Sequence, residues 1–140
     1  MKRTATAHWS GPVKEGSGTL SAPGGVLKQT PYSFATRFGD KPGTNPEELI
    51  AAAHAGCFTM ALAFALGNAG VKPDTIDTNA TLTLDQVPGG FAITAIHLDV
   101  AAKVPGIDAA KFQTIAADAK ANCPVSKVLN AKITMEARLT

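Results

Sequence analysis

From Leu49 to Asn68 the chain carries no charged side chain. The 18 residues from Leu49 to Leu66 reach the lower edge of what can span a bilayer. Only seven of them are large and apolar: Leu49, Ile50, Phe58, Met60, Leu62, Phe64 and Leu66. The others are mainly alanine, with Gly56, Thr59 and His54 among them, and no aromatic belt or basic cluster flanks the run. A helix apolar all round in a soluble chain is a buried central helix. Its start is marked by Thr44-Asn45-Pro46-Glu47-Glu48. Thr44 or Asn45 caps it, Pro46 suits the first turn, and the two glutamates complement the helix dipole. Gly70 and Pro73 stop it.

Strands are expected on either side of this helix. Arg3 to Ser10 alternates loosely and ends at Gly11-Pro12, and Glu15 to Ala22 reads as a second, weaker strand closed by Pro23-Gly24-Gly25. Tyr32, Phe34 and Phe38 share a parity, which predicts a third strand with Arg37 near its end. Thr75 to Asp85 alternates again. Pro88-Gly89-Gly90 predicts a hairpin turn, and Phe91 to Lys103 the return strand. The apolar parity of that return strand switches between Ile93 and Ile96, which predicts a bulge near Ala95. Asp108 caps a second helix whose apolar stripe runs through Phe112, Ile115, Ala116, Ala119 and Cys123. Pro124 breaks it, with a short restart to Leu129, and Lys132 to Leu139 alternates cleanly as a last strand. The order βββ-α-ββ-α-β indicates an α+β fold. At 140 residues, one domain spanning 1–140 is expected.

Composition excludes several classes of function. A net charge of +2 with no basic run gives no footprint for nucleic acid. His8, His54 and His97 lie far apart and no CxxC occurs, so neither a zinc site nor a cofactor is expected. The N-terminal MKRTATAHWSG has no apolar h-region, so no signal peptide is read there. The expected compartment is the cytoplasm, where a disulfide is transient or catalytic.

The chain has two cysteines, Cys57 inside the apolar helix and Cys123 at the proline-broken helix end. A thiol buried among apolar groups is a poor nucleophile unless a positive neighbour ionises it. The only arginines are Arg3, Arg37 and Arg138. Arg37 stands shortly before the central helix, and a loop there would carry it over the Cys57 pocket. Of Glu47 and Glu48, one is explained by the helix dipole, and the other by a carboxylate that orients an arginine fork. His54 lies one turn before Cys57 and is read first as a satisfied core histidine, with a base as the alternative. Thr59, Met60 and Phe64 are read as packing, or as lining for an apolar pocket. Two inert core thiols remain the bland alternative.

The segments GTNPEELIAAAHAGCFTMAL and NCPVSKVL resemble those of the OsmC/Ohr family of cysteine peroxidases, and the likeness runs from Ala5 to Leu139. AAHAGC and the Pro-Val-Ser after Cys123 look like the osmotically inducible protein C branch rather than the organic hydroperoxide resistance branch. The resemblance implies an intertwined homodimer with an antiparallel six-stranded sheet per subunit and active sites at the interface. It implies Cys57 as the peroxidatic and Cys123 as the resolving cysteine, Glu47 as the carboxylate, and Arg37 as the arginine that stabilises the thiolate. The implied substrates are organic hydroperoxides, with hydrogen peroxide poorer, and an external dithiol as reductant. The alternative is a non-catalytic redox sensor, or a dimer that binds a small apolar ligand.

Overall fold

The computed structural model describes residues 1–140, which divide into two compact units, Met1–Leu49 and Ile50–Thr140. The first holds an antiparallel sheet of β1 (Thr6–Ser10), β2 (Ser17–Ser21) and β3 (Thr30–Tyr32), then a short helix α1 (Phe34–Phe38). Gly18 lies opposite both Trp9 and Tyr32 in the ladder. A Cβ there would stand 2.5 Å from the Tyr32 ring and 2.8 Å from the Trp9 ring, so only glycine lets the two rings close over β2, 5.3 Å apart.

The segment expected as the end of a third strand is helix α1 instead. Ser33 and Thr36 form a reciprocal capping box, the Thr36 amide donating to Ser33 Oγ and the Ser33 amide to Thr36 Oγ1. Two satisfied amides outweigh the strand-like parity of Phe34 and Phe38, whose rings stack within the helix at 4.8 Å.

Helix α2 (Pro46–Asn68) begins where expected. Asn45 is its cap, with Oδ1 accepting from the Glu48 amide at 2.8 Å, while Asn45 Nδ2 donates to the Thr36 carbonyl. By length and composition α2 could cross a membrane, with a mean hydropathy of 1.9. It is not buried on all sides within this chain. Only His54, Phe58, Leu62 and Leu66, four residues apart in sequence, are buried. Met60 and Phe64 are 76% and 71% exposed.

The second unit is built on a sheet in the order β4 (Thr75–Val87), β5 (Gly90–Lys103), β6 (Lys132–Leu139). The β4–β5 hairpin skips Thr94 between the pairs Thr83↔Ala95 and Leu84↔Ile93, the bulge expected beside Ala95. Beyond it Ile96, Leu98, Val100 and Ala102 all turn inward. Helix α3 (Ala109–Asn122) starts on Asp108, whose carboxylate accepts from the Lys111 amide. Phe112, Ala116, Ala119 and Cys123 complete the core with Phe58, Leu62 and Leu66. Each large side chain so buried contributes about 1.5–3 kcal/mol of transfer free energy. A five-residue helix α4 (Pro124–Val128) follows.

Two expectations about the sheet are corrected. The six strands form two three-stranded sheets in the chain, not one six-stranded sheet. β6 also runs parallel to β5, not antiparallel. The reason is the connection: α3 and α4 carry the chain back to the end of the sheet where β5 began, and a helical crossover of that length yields a parallel pair.

Candidate active site

In the second unit, Cys57 on α2 and Cys123 at the α3–α4 junction bring their sulfurs to 2.8 Å. Both are free thiols, and the separation exceeds the 2.03–2.05 Å of a disulfide. Sixty-six residues separate them in sequence, so their meeting is the work of the fold: the buried face of α2 and the buried stripe of α3 converge there.

Access distinguishes the two. Cys123 is fully buried, whereas Cys57 is partly exposed. Cys57 lines a groove of about 710 Å³ with Met60, Ala61, Phe64, Ala65 and Pro124. A solute entering the groove meets Cys57 first. Met60 and Phe64, read as packing or as lining for an apolar pocket, line the groove. Thr59 does pack, donating to the Ala55 carbonyl and pairing with Thr78 Oγ1 at 2.7 Å.

Ionisation runs the other way. Burial pushes the Cys57 thiol up, the hydrogen bond to Cys123 raises it further, and the Val125 amide offsets only part of this. Burial also acts upward on Cys123, but hydrogen bonds with Cys57, with the amide and hydroxyl of Ser126 and with the Val125 amide carry it down. Within the second unit these neighbours thus favour the thiolate at Cys123 over Cys57. Making the accessible sulfur the thiolate requires a positive charge that this unit does not bring to the pair.

The first unit holds an arginine–glutamate ion pair of its own. Arg37, in the last turn of α1, grips Glu47 at the head of α2 with Nη2 to Oε1 at 2.6 Å and Nε to the two carboxylate oxygens at 3.1 and 3.2 Å. Its guanidinium also stands 5.3 Å over the Phe38 ring. Arg37 is therefore fixed on a capped helix, not carried on a loop as the sequence suggested. Glu47 is the carboxylate that orients it. Glu48 is the first-turn residue, its amide held by the cap. The ion pair and the thiol pair belong to different units. Arg3 enters no ion pair, and Arg138 is paired with Asp99.

His54 is fully buried, with Nε2 2.8 Å from Ser126 Oγ and no hydrogen-bond partner at Nδ1. Burial lowers its pKa from the ordinary value of 6.5. Ser126 is a contact that sequence reasoning missed.

Residues 38–138 match the family described as OsmC-like protein. The chain belongs to that family. It is 57% identical over 139 residues, 99% of this chain and 97% of the relative, to a protein of Escherichia coli (strain K12) called peroxiredoxin OsmC. An organic hydroperoxide resistance protein of Xanthomonas axonopodis pv. citri is 36% identical over 74% of this chain and 70% of its own length. Among solved structures, the organic hydroperoxide resistance protein OhrB of Bacillus subtilis superposes with a TM-score of 0.70 at 28% identity, covering 96% of this chain and 98% of that one. An OsmC-like protein from Vibrio cholerae gives a TM-score of 0.78 over 99% of both chains at 15% identity, a likeness of fold. The α+β, OsmC-like fold expected from the sequence is the one found.

Proposed function

We infer that the chain is a thiol-dependent peroxidase that reduces organic hydroperoxides, with Cys57 attacking and Cys123 resolving. The observation that carries this reading is the pair of free thiols 2.8 Å apart, one of them opening on an apolar groove. In the first step the Cys57 thiolate attacks the terminal peroxide oxygen. The O–O bond breaks, an alcohol leaves after taking up a proton, and Cys57 becomes a sulfenic acid. In the second step Cys123 attacks the Cys57 sulfur, the S–O bond breaks, water leaves and a disulfide remains. An external dithiol then reduces the disulfide by exchange, returning both thiols. Organic hydroperoxides suit the apolar groove better than hydrogen peroxide does.

Arg37 supplies the missing charge. Held by Glu47, it stabilises the Cys57 thiolate and polarises the peroxide. We propose that the working form is a homodimer whose apolar interface includes Met60 and Phe64, and that residues 1–140 act as one domain within it. A second copy, rather than lipid, covers the open face of α2. A reducing cytoplasm is the compartment that suits a disulfide made and reduced at every turnover.

Titration of free thiols after one equivalent of cumene hydroperoxide tests the reading. Loss of both thiols with repeated turnover on a dithiol supports the peroxidase. Loss of both without turnover supports a redox sensor. Two thiols still titrating would refute both.

A further inference from the structure

Once oxidised, the two cysteines offer a reductant two sulfurs to attack, and the fold makes them unequal. Cys57 is partly exposed and lines the groove of about 710 Å³. Cys123 is 0% exposed and belongs to the core cluster with Phe58, Leu62 and Phe112. Its chain neighbours Asn122 and Pro124 line the groove, whereas Cys123 does not. Closing the sulfurs from 2.8 Å to the 2.03–2.05 Å of a disulfide takes less than about 1 Å of movement. Cys123 therefore keeps its place in the core when the bond forms.

Resting on the peroxidase reading, we propose that the reducing dithiol attacks the sulfur of Cys57, with Cys123 as the leaving group. In thiol–disulfide exchange the entering sulfur approaches along the line of the S–S bond, opposite the sulfur that leaves, and access decides which sulfur is attacked. From the groove that line meets Cys57 first, with Cys123 behind it. The opposite line starts in the apolar core beyond Cys123, where an entering thiolate would lose its hydration without compensation. In the first step one sulfur of the dithiol, as the thiolate, bonds to the Cys57 sulfur. The S–S bond breaks, and its electron pair stays on Cys123, which takes up a proton. In the second step the other thiol of the reductant gives up its proton and attacks the reductant's own sulfur in the mixed disulfide. A cyclic disulfide leaves, and Cys57 departs as the thiolate. The dithiol has given two electrons to the two cysteines. Of its two protons, one ends on Cys123 and one in solvent. Cys57 is thus the one sulfur that meets an outside molecule in either half of the cycle, and peroxide and dithiol enter by the same groove.

The test maps the mixed disulfide on the full-length protein. The disulfide is made with one equivalent of cumene hydroperoxide, then treated with excess mercaptoethanol, quenched in acid, labelled with N-ethylmaleimide and mapped by peptide mass. A monothiol carries no second sulfur, so the mixed disulfide can be caught. The mercaptoethanol adduct should sit on Cys57 and the maleimide on Cys123, by about tenfold or more over the reverse. An adduct on Cys123, or an even split, overturns the proposal. So does a disulfide that resists mercaptoethanol in the folded protein and yields to it only in urea. Ala65→Phe fills the groove from α2, outside the core cluster, and should slow both peroxide consumption and disulfide cleavage. Peroxide consumption that falls while cleavage keeps its wild-type rate would place the reductant elsewhere and overturn the shared groove. Should that variant fail to fold, the mapping on wild type decides alone. If cumene hydroperoxide leaves both thiols free, it is the peroxidase reading that fails, and a disulfide made with diamide still decides which sulfur is attacked.

Discussion

Phe64→Ala offers a quantitative handle on the proposed dimer. Phe64 is 71% exposed in the single chain, beside Met60 at 76%, on a helix whose other face carries Phe58, Leu62 and Leu66 in the core. Full burial of a phenylalanine side chain is worth about 1.5–3 kcal/mol. Covering the exposed 71% therefore contributes roughly 1–2 kcal/mol per subunit. A twofold interface contains the residue twice, giving about 2–4 kcal/mol, or roughly 30- to 1000-fold in the dissociation constant. The fold of each chain should survive, because Phe64 takes no part in its own core. Sedimentation over a range of concentrations measures the constant, and circular dichroism checks the fold. A wild-type protein that sediments as a monomer at micromolar concentration refutes the reasoning. So does a Phe64→Ala protein with an unchanged dimer constant.

Two further outcomes follow from the geometry. Arg37→Ala should raise the Cys57 pKa and slow peroxide consumption by about 100-fold or more. Stability should change by no more than about 1 kcal/mol, because the ion pair with Glu47 is partly exposed; peroxide kinetics unchanged from wild type would move the role to Arg3 or Arg138. For pH, the unfolded chain protonates His54 near its ordinary 6.5 while the fold resists it. The stability due to neutral His54 is thus present above that value and lost as pH falls toward the folded pKa. Urea midpoints should drop on acidification in wild type and drop less in His54→Gln, and equal acid slopes in the two would contradict the sign.

Where one kind of local signal dominates, the sequence is readable. The Asn45-Pro46 start of α2, the bulge facing Thr83 and Leu84, the Asp108 cap and the alternation of β6 all follow from side-chain period or amide capping. Where two signals competed, parity misled: Phe34 and Phe38 look like one face of a strand, and the capping box at Ser33 and Thr36 decides for helix. Sheet composition was not legible, because pairing depends on which edges meet, and the parallel β5–β6 pair follows from the crossover through α3 and α4. Burial of α2 was overstated for a single chain, since a sequence apolar all round does not say which molecule covers each face. At the site, the thiol pair and the Arg37–Glu47 pair match the expected partners. Ser126 escaped notice because its importance comes from a contact with His54 across 72 positions, which no local pattern encodes.

The central claim is the unequal division of labour between two touching thiols. In the proposed cycle, attack on peroxide falls to the sulfur that lines the groove, although burial alone disfavours its thiolate. The decisive measurement is a stopped-flow first turnover with one equivalent of cumene hydroperoxide, with intact mass after the reaction, on Cys57→Ser and Cys123→Ser. Cys57→Ser should leave the peroxide unconsumed. Cys123→Ser should consume one equivalent and then stop as a sulfenic acid or overoxidise. A reactive Cys57→Ser protein beside an inert Cys123→Ser protein would reverse the roles, and two variants that both turn over like wild type would contradict the account.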